Sequence, residues 1–180
     1  MVWGLTRLKR REQIAIFQES YVKNTINVGT KNGTGAFANA MHLKQWEVTA
    51  LEPDSSSRKI ALEKFNLHLD TPETLYSITE NSHDVICLWH VLEHVHDLKG
   101  YFKAFSKILK PNGRLIIAVP NYTSYDAQYY KKYWAAYDVP RHLYHFSPQS
   151  MQVLLNQFNL QLVDTKPMWF DSYYVSLLSE

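Results

Sequence analysis

Three of the six glycines in this 180-residue chain, Gly29, Gly33 and Gly35, stand within seven residues of one another. Average usage of about 7% would give roughly twelve glycines in all, so the clustering reflects a positional need. Glycine permits positive φ and close approach to the backbone, and a helix starting behind such a loop offers free N–H groups and the positive end of its dipole. Glu52 follows 19 residues after Gly33, at the end of the next strand-like stretch. An acid so placed can accept hydrogen bonds from two ribose hydroxyls. Loop, helix and acidic strand end together predict a cradle for an adenosine cofactor, with a tight turn that holds no ligand as the simpler alternative.

A second group of residues could move protons or hold a metal. His90-Val91-Leu92-Glu93-His94 spells H-x-x-E-H, the inverted zinc-protease pattern. That chemistry needs both histidines on one helix face, a glutamate beside them as general base and a third ligand further on. Here the motif follows an apolar strand directly, which puts His90 at a strand end and only His94 in a helical turn, so no metal is assigned. In the simplest reading Glu93 and His94 satisfy backbone groups around that turn. His90, His142 and His145 are candidate general bases, since histidine titrates near neutral pH. Arg141 could pair with a substrate carboxylate or phosphate, or with Asp138 or Asp126. Cys87 lies inside the apolar strand and reads as core.

The elements that must position these residues alternate between strand and helix. An N-terminal helix is expected over 5–21 from the spacing of Leu8, Ile14, Ala15 and Phe17. A strand over 25–28 runs into the glycine cluster, and a helix over 36–45 turns Phe37, Ala40, Met41 and Leu43 inward. A strand over 47–51 ends in Glu52, Pro53 and Asp54, and a serine run caps a helix over 57–65. A weak strand over 67–69 precedes Thr71-Pro72-Glu73, a helix start with proline at the first position. The run DVICLW over 84–89 has the continuous apolar character of a strand covered on both faces. A helix over 98–109 stops at Pro111-Asn112-Gly113, and RLIIAV over 114–119 forms another strand.

Residues 121–146 are crowded with tyrosine and lack clean periodicity, so they read as an excursion over the top of the sheet. It serves as a substrate lid, its ring faces tolerant of a cation, or as a packed cover. Ser147 and Pro148 open a last helix, and 160–164 is expected to form a sixth strand. The stretch 169–178 reads as a helix start or as a further edge strand. Strands that alternate with helices predict an α/β, Rossmann-like, doubly wound and mostly parallel sheet with helices on both faces. The whole chain is expected to be one domain, with an N-terminal helix over 1–22, a cofactor core over 23–120, the aromatic excursion over 121–146, and a C-terminal helix and strand over 147–180.

Composition narrows the function further. With 46% hydrophobic residues and one cysteine, disorder and a disulfide framework are excluded. No run approaches the roughly 18 apolar residues of a membrane span, and the first residues carry no signal-peptide pattern. The expectation is a cytoplasmic protein with no membrane partner. A net charge of +2 gives no reason to expect a nucleic-acid partner.

Read together, Gly33-Thr-Gly35-Ala36-Phe37, EVTALEPD, DVICLWHVLEHVHD, LKPNGRLIIAVPN and DVPRHLYHFSP resemble the class I S-adenosylmethionine-dependent methyltransferases, in particular the type 11, 12 and 23 methyltransferase domains. The resemblance covers about residues 24 to 165, and its most specific part is WHVLEHV followed by the LKP-x-G turn. It implies S-adenosyl-L-methionine as cofactor. It places the loop glycines and Phe37 at the methionine moiety, Glu52 with Pro53 at the ribose, and Asp70 near the adenine. Leu88, Trp89 and His90 then lie beside the methionine and sulfonium, and His90 becomes the best-placed base. Some O-methyltransferases that resemble the HVLEHV segment use a divalent ion, which Glu93 and His94 could hold.

The glycine loop departs from the family pattern. Thr30, Lys31 and Asn32 separate Gly29 from Gly33, two residues more than the family spacing, and Asn27 stands where the family carries an acid. The resulting expectation is methyl transfer to an O or N nucleophile of a small molecule. The alternatives are a binding domain that keeps only the fold, or a nicotinamide-dependent oxidoreductase. The family's sheet usually closes with a seventh, antiparallel strand. If that strand is missing, the exposed edge would favour a homodimer.

Overall fold

The computed structural model describes residues 24–28 and 33–180. The helix expected over 5–21, and Gly29 in the glycine loop, lie outside them. Four parallel strands form one sheet: β1 (Asn24–Val28), β2 (Glu47–Leu51), β3 (His83–Trp89) and β4 (Leu109–Ala118), in the order β2-β1-β3-β4. The chain winds outward in one direction from β1 to β2 and in the other from β1 to β3 and β4. A crevice therefore opens at the carboxyl ends of β1 and β3, the switch point where α/β sheets bind ligands. The doubly wound expectation is borne out.

Alternation along the strands sends side chains to two cores. On one face Ile26, Val28, Ile86 and Leu88 pack with Phe102, Phe105 and Ile108 of α3 (Leu98–Ile108) and with Met151 and Leu155 of α5 (Pro148–Asn156). On the other, Val85 and Cys87 meet Met41 of α1 (Ala36–His42), while Ala50 and Ala38 meet Ala61 of α2 (Ser55–Phe65). Cys87 is core as expected, and burial pushes its thiol pKa well up. Both faces are covered, which is why β3 tolerates an apolar run with no polar alternation. Caps set the helix starts: Asp54 accepts from Ser57 N at 2.8 Å, Asp97 from Gly100 N at 2.9 Å, and Ser147 and Ser150 form a reciprocal capping box.

Several expected elements differ. Helix α1 ends at His42, three residues early, because Gln45 adopts φ 65° and Leu43 turns out to solvent. Helix α2 begins at Ser55, capped by Asp54 ahead of the serine run. The expected strand 67–69 reduces to a single bridge between Leu51 and Asp70. The segment after Thr71 is a 3-10 turn, Pro72–Ser77. Helix α3 stops at Ile108, since Leu109 already pairs with His83, and Pro111 to Gly113 fall where the β3–β4 register shifts.

The expected sixth strand at 160–164 is absent. Leu160 and Leu162 pack against the core from irregular chain, so their alternation satisfies burial without a neighbouring strand. The region 169–178 is helical, in α6 (Trp169–Ser179), so the C-terminal part carries two helices and no strand. In the excursion, α4 (Tyr125–Tyr130) and two 3-10 turns surround Trp134, which packs with Tyr130, Tyr137 and Val175 of α6. No helix among the described residues is long and apolar enough to cross a membrane.

Candidate active site

The β2 end of the crevice is built from short-range contacts. Glu52 is 1% exposed, and its Oε1 accepts from Asp54 N at 2.9 Å. Burial pushes its pKa up to about 7, against the opposing pull of the Asp54 and Gly33 backbone N–H groups. Its Oε2 is buried and has no hydrogen-bond donor among the described residues. An orphan acceptor of this kind is costly unless something outside the described residues donates to it. Arg58 Nη1 donates to the carbonyls of Glu52 and Pro53, both at 2.8 Å, which pins the turn. Asp70 is stitched alongside: its N–H donates to Ala50 O at 2.8 Å and its carbonyl accepts from Glu52 N at 2.9 Å. Glu52, Pro53, Asp70 and Gly33 are therefore brought together.

Gly35 has a different reason to be glycine. It sits at φ 74°, and a Cβ there would lie 2.9 Å from Ala61 Cβ. The residue thus lets α1 approach α2 closely, the packing role that falls to the last glycine of dinucleotide loops. Phe37 meets Trp89 edge to face at 5.6 Å, forming an aromatic wall beside the β3 end. Trp89 Nε1 is buried and lacks an acceptor. Leu88 points into the α3 core, fully buried, so only its backbone faces the crevice.

The β3 end is held by contacts distant in sequence. His90 leaves the strand at φ 54°, a strained region for a non-glycine residue. Its Nδ1 lies 3.1 Å from Glu93 Oε1 and its Nε2 3.0 Å from Asp171 Oδ2 of α6. Glu93 is 0% and Asp171 1% exposed. Burial alone would lower the His90 pKa, but the hydrogen bonds to Asp171 and Glu93 outweigh it and raise it to about 9. Both ring nitrogens are thus engaged in an imidazolium at neutral pH, and His90 offers no lone pair to take a proton. The residue expected as a base thus has both ring nitrogens within hydrogen-bond distance of buried carboxylates.

The other histidines are tied to backbone. His142 Nδ1 lies 2.9 Å from Ala136 O, and burial pulls its pKa below the ordinary value. His94 Nδ1 lies 3.0 Å from Arg141 O, and His145 Nε2 lies 3.0 Å from Tyr137 O. His142 packs against both His94 and His145. Donor atoms of Glu93, His94 and His142 all lie within 4.8 Å of one another. Arg141 pairs with Asp138 Oδ1 at 2.7 Å, one of the two partners expected for it.

Sequence reasoning missed Asp171 and the Trp134 cluster. The one available signal was that Asp171 is the sole charge in the apolar run MWFDSYYVSLL.

The fold is shared with a SAM-dependent methyltransferase from Archaeoglobus fulgidus (TM-score 0.66, 18% identity, covering 95% of this chain and 86% of that one). It is shared also with the YcgJ protein from Bacillus subtilis (0.68, 15%, 96% and 79%) and a SAM-dependent methyltransferase from Aquifex aeolicus (0.63, 16%, 87% and 81%). At these identities the likeness is one of fold. No match is found among curated protein sequences. The methyltransferase domain family, however, matches residues 8–165, from before β1 to beyond α5, and the chain belongs to that family.

Proposed function

We propose that the protein transfers the methyl group of S-adenosyl-L-methionine to an O or N nucleophile of a small molecule. The observation that carries this reading is the buried Glu52 carboxylate at the β2 end, whose Oε2 has no donor among the described residues. A ribose hydroxyl is the donor such an oxygen lacks, so the residues present fit the nucleoside. In this reading Glu52 and the Pro53 turn hold the ribose, and Asp70 flanks the adenine. Gly33 and Gly35, Phe37, Trp89, the Leu88 backbone and His90 surround the methionine portion. When bound, the cofactor supplies a methyl group activated on a sulfonium.

Displacement from such a centre is in line, so the protein's work is to orient the nucleophile and exclude water. Trp89 and Phe37 wall the crevice on one side. The excursion 121–146, braced by α6, covers the acceptor side. His90, held as a cation between two carboxylates, anchors α6 to the strand end and does not serve as base. The other histidines on this side, His94, His142 and His145, each spend one ring nitrogen on a backbone carbonyl.

Calorimetry with S-adenosylhomocysteine and, separately, NAD tests the reading. Micromolar binding of the first, weakened at least tenfold by Glu52→Ala, is the expected result. Binding of NAD alone would make the chain an oxidoreductase, and binding of neither would leave a domain that keeps only the fold.

A further inference from the structure

We propose that the outward face formed by α6 and the excursion docks on an anionic lipid bilayer as a peripheral contact. Helix α6 has its polarity inside out. Asp171, Ser172 and Ser179 face the molecule and are spent on it: Asp171 on His90, Ser172 on Asp126 of α4, and Ser179 on the Ala135 N–H at 2.9 Å. Val175 joins them, packed on the Trp134 cluster. On the other side Trp169, Tyr173 and Leu177 recur at every fourth residue with Tyr174 and Leu178 beside them, and all five are more than half exposed. A helix on the surface of a water-soluble domain normally shows the reverse arrangement. The face continues onto α4, where Tyr125 and Tyr129 stack on each other at the surface, away from the buried Ala127 and next to the Asp126 contact with α6. An exposed apolar surface of this extent marks a site of association.

The charges on this side of the molecule choose the occupant. Its acids are committed elsewhere: Asp126 accepts from Ser172, Asp171 holds His90, and Asp138 and Asp164 pair with Arg141 and Lys166. Lys131 and Lys132, which follow α4 directly, are exposed and make no ion pair among the described residues. Glu180, at the far end of α6, is the one acid left to oppose them among the described residues of 121–180. Aromatic rings with polar tips, flanked by lysines, match the headgroup layer of a membrane, where tyrosine and tryptophan concentrate and lysine meets anionic lipid. A second copy of the chain suits the face less well. A two-fold contact sets the patch against itself, which brings two pairs of unpaired lysines into one interface. The contact lies in the plane of the bilayer surface and needs no spanning segment, so the length of apolar runs along the sequence does not register it. Nothing in it depends on which acceptor is methylated.

The test is co-sedimentation of the untagged 180-residue chain with vesicles of phosphatidylcholine and phosphatidylglycerol in equal amounts, compared with vesicles of phosphatidylcholine alone. Binding to the mixed vesicles is expected, with a blue shift of tryptophan emission, and roughly tenfold weaker binding to the neutral ones. Lys131→Glu combined with Lys132→Glu should remove that preference. Leu177→Glu, on the exposed side of α6, should weaken binding to the mixed vesicles by about tenfold or more. Leu62→Glu, on the exposed side of α2, should leave it unchanged. Circular dichroism separates lost docking from lost fold, and Tyr173→Glu, one turn earlier in α6, carries the test if Leu177→Glu does not fold. No binding to the mixed vesicles, or binding indifferent to these α6 substitutions in folded protein, overturns the proposal. So does a concentration-dependent dimer in place of vesicle binding, seen by sedimentation velocity and abolished by Leu177→Glu, which would make a second copy the occupant.

Discussion

On the β2 side of the crevice the key groups are fixed by near neighbours in the chain. Asp54 donates to Glu52 from two residues away, and Arg58 clamps the same turn from six. On the β3 side the partners are remote: His90 meets Asp171 across 81 positions, and His94 meets Arg141 across 47. The β2 side is therefore assembled once β1, β2 and α2 are in place. The β3 side exists only after the excursion and α6 have folded back over the strand ends. Local contacts cost little loop-closure entropy and remote ones cost more, so the second side is expected to open first and more often.

The sharpest way to break that contrast is Trp134→Ala. Trp134 is 1% exposed at the centre of the small cluster that joins the excursion to α6. Truncating a buried tryptophan costs about 3–5 kcal/mol, which urea unfolding would register. Native-state hydrogen exchange is expected to accelerate most in α4 and α6 and least in β1 to β3. Affinity for adenosine should change by less than threefold. A parallel loss of nucleoside affinity in still-folded protein would show that the two sides act as one unit.

Asp171→Asn probes a single remote contact. It keeps the shape but removes a charge from the buried Asp171–His90–Glu93 chain, and breaking such a pair costs roughly 3 kcal/mol. The expected outcome is a lowered urea midpoint and faster exchange in α6, again with adenosine affinity intact. Equal protection of α6 in the two proteins would mean that the helix is held by its apolar contacts alone.

This division also explains what could be read from the chain. The β2 side was legible as a set of neighbours because its parts sit in sequence order, a helix start at Gly35 followed by a strand that ends in Glu52, and short-range turn chemistry fixes their positions. Strands β1 to β4 were legible for a related reason, since a sheet covered on both faces demands apolar runs such as DVICLW. The expected strand 160–164 failed because alternating Leu160 and Leu162 need only burial, which the core supplies without strand pairing. The surroundings of His90 were not legible because they include Asp171, whose approach no local pattern announces. The cluster of His142 with Glu93 and His94 was hidden in the same way, split between a turn after β3 and an aromatic segment without periodicity.

The effect that isolates the β2 side is a pH dependence at Glu52. Burial holds its folded pKa at about 7 against an ordinary value of 4.5. The unfolded chain then gives up this proton before the folded one does, so Glu52 makes the protein less stable as pH rises from about 4.5 to about 7 and adds no further change above that. Glu52→Gln should remove that slope from urea midpoints measured across the window. Ligand binding should show the opposite trend. Ribose hydroxyls donate to the ionised carboxylate and lower its pKa, so S-adenosylhomocysteine should bind with release of part of a proton. Ionisation of a group at pKa 7 rises about tenfold between pH 6 and pH 8, which limits the gain in affinity to about tenfold. Calorimetry in buffers of different ionisation enthalpy measures both affinity and proton release. A flat profile in the unmutated protein, identical to that of Glu52→Gln, would mean that the ribose does not meet this carboxylate.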